Sequence, residues 1–405
     1  MRKGPARGRA LIAGGSLGGL MAGAILLREG WDVLIFERVS GDIESRGAGI
    51  ATHDKLFEVF QRAGVRIDDQ IGSTLIGRTA FDRSGREIGH YPFHQVLSPW
   101  SILYRRLRET VPAACYHLGA EVRSVNPRAD GVALELSDGR RVDGDLVIGA
   151  DGIWSQVRAQ RFPQSQPSYC GYVAWRGLLD ESCFDAAFAR HYAPLHCFYI
   201  ERGEQFIFYM VNGADDSLEV GRRRFGFLWY RSTDEQSELP ALLTDDTGFT
   251  HARSIPPPRI QAAHIERLRQ LAGDLLPPQF ADVVQRTPAP FLQPIYDLRS
   301  ERIAEGRVAL IGDAAFVARP HVGAGVLKAA CDAISLADAL GSSASIEAAL
   351  LRYQQDRVPE CQELIDKARH LGGYLEGSQR SGPPAPVLPI LEVLRESGRG
   401  LTDGD

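Results

Sequence analysis

Apolar positions along the chain follow two rhythms. Near the N-terminus, Arg9–Ala13 and Asp32–Glu37 are short runs with little polar interruption, the pattern of strands covered on both faces. Between them "GGSLGG" reads as a turn and Leu17–Glu29 as a helix, so a strand–helix–strand unit closes within about 30 residues. A further helix is expected around Phe57–Ala63. "VALELSDGRRVDGDLVIGADG" predicts two strands joined at Asp138-Gly139, then a wholly apolar strand, Asp145–Ala150, that belongs in a buried sheet.

From about Tyr169 to Arg231 the rhythm changes. "GYVAWRGLL", "HCFYIERGEQFIFYMV" and "RRFGFLWYR" are aromatic and β-rich, and they read as antiparallel strands of a second domain. "SIPPPR" at 254–259 ends the run. Helices follow around Ile260–Ala272 and Pro278–Arg286, strands at Pro294–Leu298 and Arg307–Ile311, a long helix from about Val326, and another over Ser345–His370. From "GSQRSGPPAPVLP" onward the chain is rich in Pro, Gly and Ser, with one short apolar turn, "ILEVL". No internal repeat is visible.

Composition narrows the function classes. The 405 residues are 44% hydrophobic and 24% charged with a net charge of −5, which gives no global electrostatic case for nucleic acid or an acidic membrane surface. The basic tip "MRKGPARGR" and the apolar stretch "ALIAGGSLGGLMAGAILL" imitate a secretory signal. Five glycines make that stretch a poor membrane or signal helix, and it runs straight into "WDVLIFER", so it is read as the first strand and helix of the fold. No other segment suits a bilayer span. Six scattered cysteines without CxxC spacing suggest neither zinc nor a redox pair, and fit buried thiols in a reducing cytoplasm.

Three strand ends carry glycine and acid together. The loop Gly14-Gly15-Ser16-Leu17-Gly18-Gly19 opens a helix whose N-terminus offers free N–H groups and a positive dipole end to a pyrophosphate. Glu37, at the end of the next strand, stands where a dinucleotide ribose needs a carboxylate. "GADGIWSQVR" places Asp151-Gly152 after a buried strand, with a Ser and Arg158 beyond it. "VALIGDAAFVARPHVGAGVLKAACDA" places Asp313 at a third strand end, where it is either an ordinary cap or a grip on a cofactor hydroxyl. Three such ends fit one extended ligand across a sheet edge.

In their order and spacing, these motifs resemble the FAD-dependent aromatic-ring monooxygenases of the para-hydroxybenzoate hydroxylase type, over the chain to about residue 370. "GYVAWRGLL" with "ARPHVGAG" looks most like the 2,6-dihydroxypyridine 3-hydroxylase branch. The resemblance implies an α/β fold: a Rossmann-like FAD-binding domain with a parallel sheet, a substrate domain with an antiparallel β-sheet, and a C-terminal helix. Residues 1–75, 100–165 and 290–345 would form the discontinuous FAD-binding domain, 76–99 and 166–289 the substrate domain, 346–375 the C-terminal helix, and 376–405 a mobile tail.

The resemblance also implies roles. Gly14, Gly15, Ser16, Leu17 and Gly19 would hold the pyrophosphate of a tightly bound FAD. Glu37, with Arg38 beside it, would bind the adenosine ribose, and Val122 would meet adenine through its backbone. Asp151 would support the pyrophosphate region and Asp313 the ribitol chain. Pro320, Gly323, Ala324 and Gly325 would face the isoalloxazine. An arginine that usually contacts the flavin aligns near Tyr104, with Arg105 next to it, and both stay open. Ser16 replaces a glycine, and Phe316 stands where the family often has His.

The implied reaction is hydroxylation of a hydroxylated aromatic or N-heteroaromatic ring, using NADH or NADPH and O2 through a flavin C4a-hydroperoxide. It needs a dry site and a base for a ring hydroxyl. His321, after Pro320, and His53, after "GAGIA", are the candidate bases; Tyr209 and Tyr230, on the aromatic strands, are candidate ring partners. No metal-ligand spacing competes. The expected partner is a small aromatic molecule, with no nucleic acid and no membrane; the expected location is cytoplasmic, and a homodimer is left open. The alternatives are another FAD-dependent oxidoreductase, of dehydrogenase or halogenase kind, and a flavin-binding redox sensor without turnover.

Overall fold

The computed structural model describes residues 7–41, 49–376 and 386–400. Most of the basic tip, and residues 377–385 and 401–405 of the expected tail, lie outside these. Among the described residues no helix is long and apolar enough to cross a membrane.

The first sheet is Rossmann-like. Its strands run in the order Ala304–Glu305, Val308–Leu310, Leu146–Gly149, Arg9–Ala13, Asp32–Glu37, Tyr116–Leu118. All neighbours are parallel except the first pair. Covered strands follow from the continuous apolar runs. Helix Leu17–Arg28 buries one face, with Gly325–Ser342 packed on it, and the three-stranded sheet of Val122–Pro127, Val132–Leu136 and Arg141–Gly144 packs near the other, where Gly144 abuts Leu11. The expected first strand and helix of the fold are observed at Arg9–Ala13 and Leu17–Arg28.

The second sheet has eight strands, in the order Phe291–Asp297, Ser168–Asp180, Arg224–Ser232, Glu204–Val211, Leu195–Glu201, Ser73–Phe81, Glu87–Pro99, Gly49–Ala51. It is mixed rather than purely antiparallel, because Leu195–Glu201 and Ser73–Phe81 pair parallel. These two strands come from distant parts of the chain, so no hairpin forces their directions to oppose. Phe291–Asp297 and Gly49–Ala51, expected in the first domain, pair here instead. Phe291–Asp297 is recruited by the long strand Ser168–Asp180, whose edge it completes.

The pairings fix which residues share a face. Arg176 is opposite Leu228, Leu228 opposite Ile207, Tyr230 opposite Gln205, and Tyr209 opposite Gly226. One face therefore carries Tyr172, Arg176, Tyr230, Gln205 and Tyr209; the other carries Phe206, Phe208, Phe225, Phe227 and Trp229. The hydrocarbon face packs under helices Ala186–Tyr192 and Pro278–Arg286: Phe280 stacks on Phe206 and meets Phe81 edge-on, and Phe188 meets Phe208 and Phe225. The polar face turns the other way, toward the loop Pro320–Val322, where Tyr172 and Tyr230 meet His321.

The expected C-terminal helix is long, Ile346–Gly372. Beyond it, the segment expected as mobile with one short turn contains a two-turn helix, Ile390–Glu396, with Val393 and Leu394 fully covered. The "ILEVL" pattern carries its own apolar stripe, and the sheet supplies a surface for it. Phe280→Ala should lower stability by about 3–5 kcal/mol in chemical denaturation, as for other buried aromatic truncations; a loss below 1 kcal/mol would mean that this face is loosely packed.

Candidate functional site

Four neighbouring parallel strands end on one edge, in the order Val308–Leu310, Leu146–Gly149, Arg9–Ala13, Asp32–Glu37. Asp313, Asp151, the Gly14–Gly19 loop and Glu37 follow those ends. Strands about 4.8 Å apart set this row roughly 14 Å long, the reach of an extended dinucleotide.

Each position has a local cause. Gly14 has φ +103°, and a Cβ there would overlap the carbonyl of Ala150; a Cβ on Gly19 would overlap the carbonyl of Gly14. Glu37 is nearly buried and accepts from the N–H of Gly15 at 2.9 Å and of Val39 at 3.0 Å, which ties the second strand to the glycine loop. Ala120 N–H bonds the Glu37 carbonyl at 2.9 Å, so Val122 begins its strand beside that edge. Arg38 is exposed.

The two aspartates differ. Asp151 accepts from Gln156 N–H at 2.7 Å and Val157 N–H at 3.2 Å, capping helix Gln156–Arg161, while its Oδ1 is covered and unpartnered. Asp313 receives no backbone N–H among the described residues, which removes the cap reading. Its side chain is 54% exposed, with neighbouring protein enclosing the rest. That enclosure raises the Asp313 carboxyl above its ordinary value, opposed by Lys328, whose Nζ is 3.8 Å away. Burial likewise raises Asp151. Arg158 fastens the two motifs together: it donates to the carbonyls of Ala314 at 3.0 Å, Ser165 at 3.1 Å and Ile153. A Cβ added to Gly325 or Gly152 meets nothing within 4 Å, so both stand beside open space. Glycines that a Cβ would block, free space at the helix start, a half-open carboxylate and an orphaned carboxylate oxygen suit FAD.

Helix Trp100–Thr110 turns Tyr104 and Arg105 toward different neighbours. Tyr104 is buried, 3.1 Å from the Tyr116 hydroxyl, which donates to the Gly15 carbonyl at 2.8 Å. Arg105 points into a separate groove and pairs with Asp216. Tyr104 is thus linked to the glycine loop through Tyr116, while Arg105, expected near the flavin, pairs with Asp216.

Pro320 opens a single turn that ends at Gly323, with φ +57°. His321 is 3% exposed; its Nε2 lies 2.9 Å from the Tyr172 hydroxyl and its Nδ1 is covered without a partner. Tyr230 lies against the same ring, with centroids 4.9 Å apart. His53, also buried, places Nε2 3.4 Å from the Gly323 carbonyl. Tyr209 sits apart from His321, against His196 and beside Gly49, its hydroxyl covered and unpartnered. The structure thus gathers His321 with Tyr230 and brings His53 to the same loop, while Tyr209 lies further along the polar face.

Three residues escaped the sequence reading. Tyr172 bonds His321, and Arg176 has a covered, unpartnered Nε close enough to Tyr209 and Tyr230 to oppose the rise that burial imposes on both hydroxyls. The signal for Arg176 was a lone charge inside the apolar run "GYVAWRGLL". Lys328, buried in the first turn of helix Gly325–Ser342 near Asp313, was likewise a lone charge among small apolar residues.

Comparison with known proteins agrees. A family model described as FAD binding domain-like matches residues 169–297. The chain is 30% identical to the aurachin C monooxygenase/isomerase of Stigmatella aurantiaca over 378 residues, 89% of this chain and 88% of that protein. It is 27% identical to the 2,6-dihydroxypyridine 3-monooxygenase of Paenarthrobacter nicotinovorans over 396 residues, covering 96% and 97%. The solved 2,6-dihydroxypyridine-3-hydroxylase from Arthrobacter nicotinovorans superposes with a TM-score of 0.86 at 26% identity, covering 95% of this chain and 98% of that one.

Two outcomes are expected. Gly14→Ala should lower the melting temperature of the cofactor-free protein, whereas Gly325→Ala should leave it unchanged and weaken FAD binding alone; equal melting temperatures for both variants would contradict the steric account. The second concerns pH. Burial, then the charge of Arg319, pushes His321 down to about 3, and burial, then Arg78, does the same to His196. Both return to about 6.5 when unfolded. The unfolded chain therefore binds more protons between roughly pH 3 and 6.5, and stability falls as pH drops through that window. His321→Gln should flatten the fall in melting temperature from pH 6.5 to 4.5; an unchanged slope would mean that the folded ring takes up a proton freely.

Proposed function

The chain belongs to the FAD-dependent monooxygenases of the para-hydroxybenzoate hydroxylase type, and from that premise we propose that it hydroxylates a hydroxylated aromatic or N-heteroaromatic ring, using NADH or NADPH and O2. The observation that carries this reading is the row of Asp313, Asp151, the Gly14–Gly19 loop and Glu37 on one edge of the first sheet, with His321 of the loop beyond Asp313 set against Tyr172 and Tyr230 of the second. The proposal of a ring substrate draws support from the relatives' names, which speak of dihydroxypyridine and aurachin.

Bound FAD, once reduced, supplies the activation of dioxygen. The chain's own residues do the rest. Glu37 and the glycine loop would hold the adenosine end, and Asp313 would take the ribitol hydroxyls. The N-terminus of helix Gly325–Ser342 offers its positive end, which would favour negative charge on a reduced ring held there. Tyr172, Arg176, Tyr209 and Tyr230 form the substrate wall.

His321 accepts a hydrogen bond from a ring hydroxyl. With Nε2–H donating to the Tyr172 oxygen, Nδ1 is left as an acceptor facing no protein donor. Burial keeps the imidazole neutral at pH 7 but makes it a weaker base than an exposed histidine. It therefore polarises the O–H bond more than it removes the proton, while Arg176 offers charge to an oxygen on the ring. The burial of the imidazole keeps water away from it.

The test is direct. The purified protein should retain FAD, and NADH or NADPH oxidation should accelerate on addition of a hydroxylated pyridine or phenol. Arg176→Met should raise KM for that substrate about 10-fold to 100-fold with kcat little changed, the scale of one lost charge-assisted hydrogen bond. Retained flavin with no acceleration by any such ring would favour the redox-sensor alternative.

A further inference from the structure

The described C-terminal residues touch the loop that carries His321. The chain of contacts starts in the second sheet. Arg78, fully buried, donates to the Leu394 carbonyl at 2.9 Å and to Gln95 Oε1 at 3.1 Å. Gln95 Nε2 donates to the Gly398 carbonyl at 2.9 Å. The Gly398 N–H donates to the His321 carbonyl at 3.0 Å, and the Gly400 N–H to the Val322 carbonyl at 3.2 Å. Lys367, on helix Ile346–Gly372, closes the far end by donating to the Gly400 carbonyl at 2.8 Å and pairing with Glu396 at 3.0 Å.

Steric fit agrees with the hydrogen bonds. A Cβ on Gly323 would lie 2.6 Å from the Gly398 Cα, so the two backbones pass at the closest approach that glycine permits. Gly398 and Gly400 both have positive φ, +71° and +69°, which turns their N–H groups onto successive carbonyls of the loop. Leu394 and Val393 anchor the segment in the core.

The loop depends on this partner. His321 and Val322 are buried, and their carbonyls accept their hydrogen bonds from Gly398 and Gly400 of this segment. Within the loop itself the turn is closed by Gly323 N–H to the Pro320 carbonyl, at 2.9 Å. We propose that residues 394–400 are a positioning clasp, which sets the backbone of His321–Gly323 and thereby the wall on which cofactor ring and substrate rest. Arg78 and Gln95 are its positioning residues on the sheet side. The proposal rests on assigning this loop to the flavin, and it gives the C-terminal segment a part in the site.

The test uses the full chain carrying Gln95→Met, with Leu394→Asp as a second, stronger variant. Backbone hydrogen exchange is measured by mass spectrometry on cofactor-free protein, comparing peptides over 319–326 with peptides over the strand Arg9–Ala13. FAD affinity is then measured by flavin fluorescence. In Gln95→Met, exchange at 319–326 should rise about tenfold with the strand unchanged, and the FAD dissociation constant should rise on a similar scale, as expected for one or two lost backbone hydrogen bonds. Leu394→Asp should do the same more strongly. Unchanged exchange at the loop in both variants overturns the clasp. Faster loop exchange with unchanged FAD affinity reduces it to a surface staple, and equal acceleration in the strand reduces it to general stability; either overturns the positioning role. A wild-type chain that binds no FAD overturns the proposed function first, and this assignment with it.

Discussion

Alternation of side chains along the eight-stranded sheet is the constraint on which the rest of the molecule depends. A strand puts neighbours on opposite faces, so Phe206, Phe208, Phe225, Phe227 and Trp229 cannot share a face with Gln205, Tyr209 and Tyr230. The hydrocarbon face is satisfied by Phe280 and Phe188 under two helices. The other face is left with hydroxyls, a guanidinium and imidazoles, several of them covered and short of partners. Buried polar groups are normally paired, because each unpaired one costs about 1–3 kcal/mol. A run of such atoms on one face is what a site holds in reserve for a polar ligand.

The first sheet supplies the complementary half. Its parallel strands all end on one edge, which makes a row of turns unavoidable, and the row is stiffened by side chains whose work is structural. Asp151 caps a helix, Arg158 stitches the turn of Ile153 to that of Ala314, and Asp332 accepts the Gly312 N–H at 2.8 Å while pairing with Arg357 at 2.8 Å. Asp313 is thereby freed from capping, with only Lys328 beside it among the charges of this edge. Relieved of capping and half open, it is the carboxylate of this edge that can turn outward to a hydroxylated chain. The two halves meet at the loop Arg319–Gly325, whose side chains reach the second sheet and whose glycines lead into helix Gly325–Ser342.

Much of this was legible in the sequence, for identifiable reasons. Arg9–Ala13, Asp32–Glu37 and Pro278–Arg286 lie where their patterns put them, because continuous apolar runs and a proline at a helix start are strong local signals. The glycine and acid turns were visible because backbone conformation selects those residues. What stayed hidden depends on distant pairing. Nothing local in Ser73–Phe81 announces that it joins Leu195–Glu201 in parallel, and nothing in "ILEVL" announces the sheet surface it packs against. His321 was found by its neighbour Pro320, but its depressed basicity follows from the burial and the Arg319 charge around it. Tyr172 and Arg176 were missed because an aromatic strand residue and a lone arginine gain meaning only once the register shows which way they point.

The proposed reaction puts an oxygen atom on a ring held against the polar sheet face. It is tested most directly by turnover of FAD-loaded protein under isotopically labelled dioxygen, with mass spectrometry of the aromatic product. The account predicts one labelled oxygen atom on the ring, and its loss in parallel with product when His321 is replaced by glutamine. A product whose new oxygen comes from water, or a ring oxidised without gaining oxygen, would contradict it.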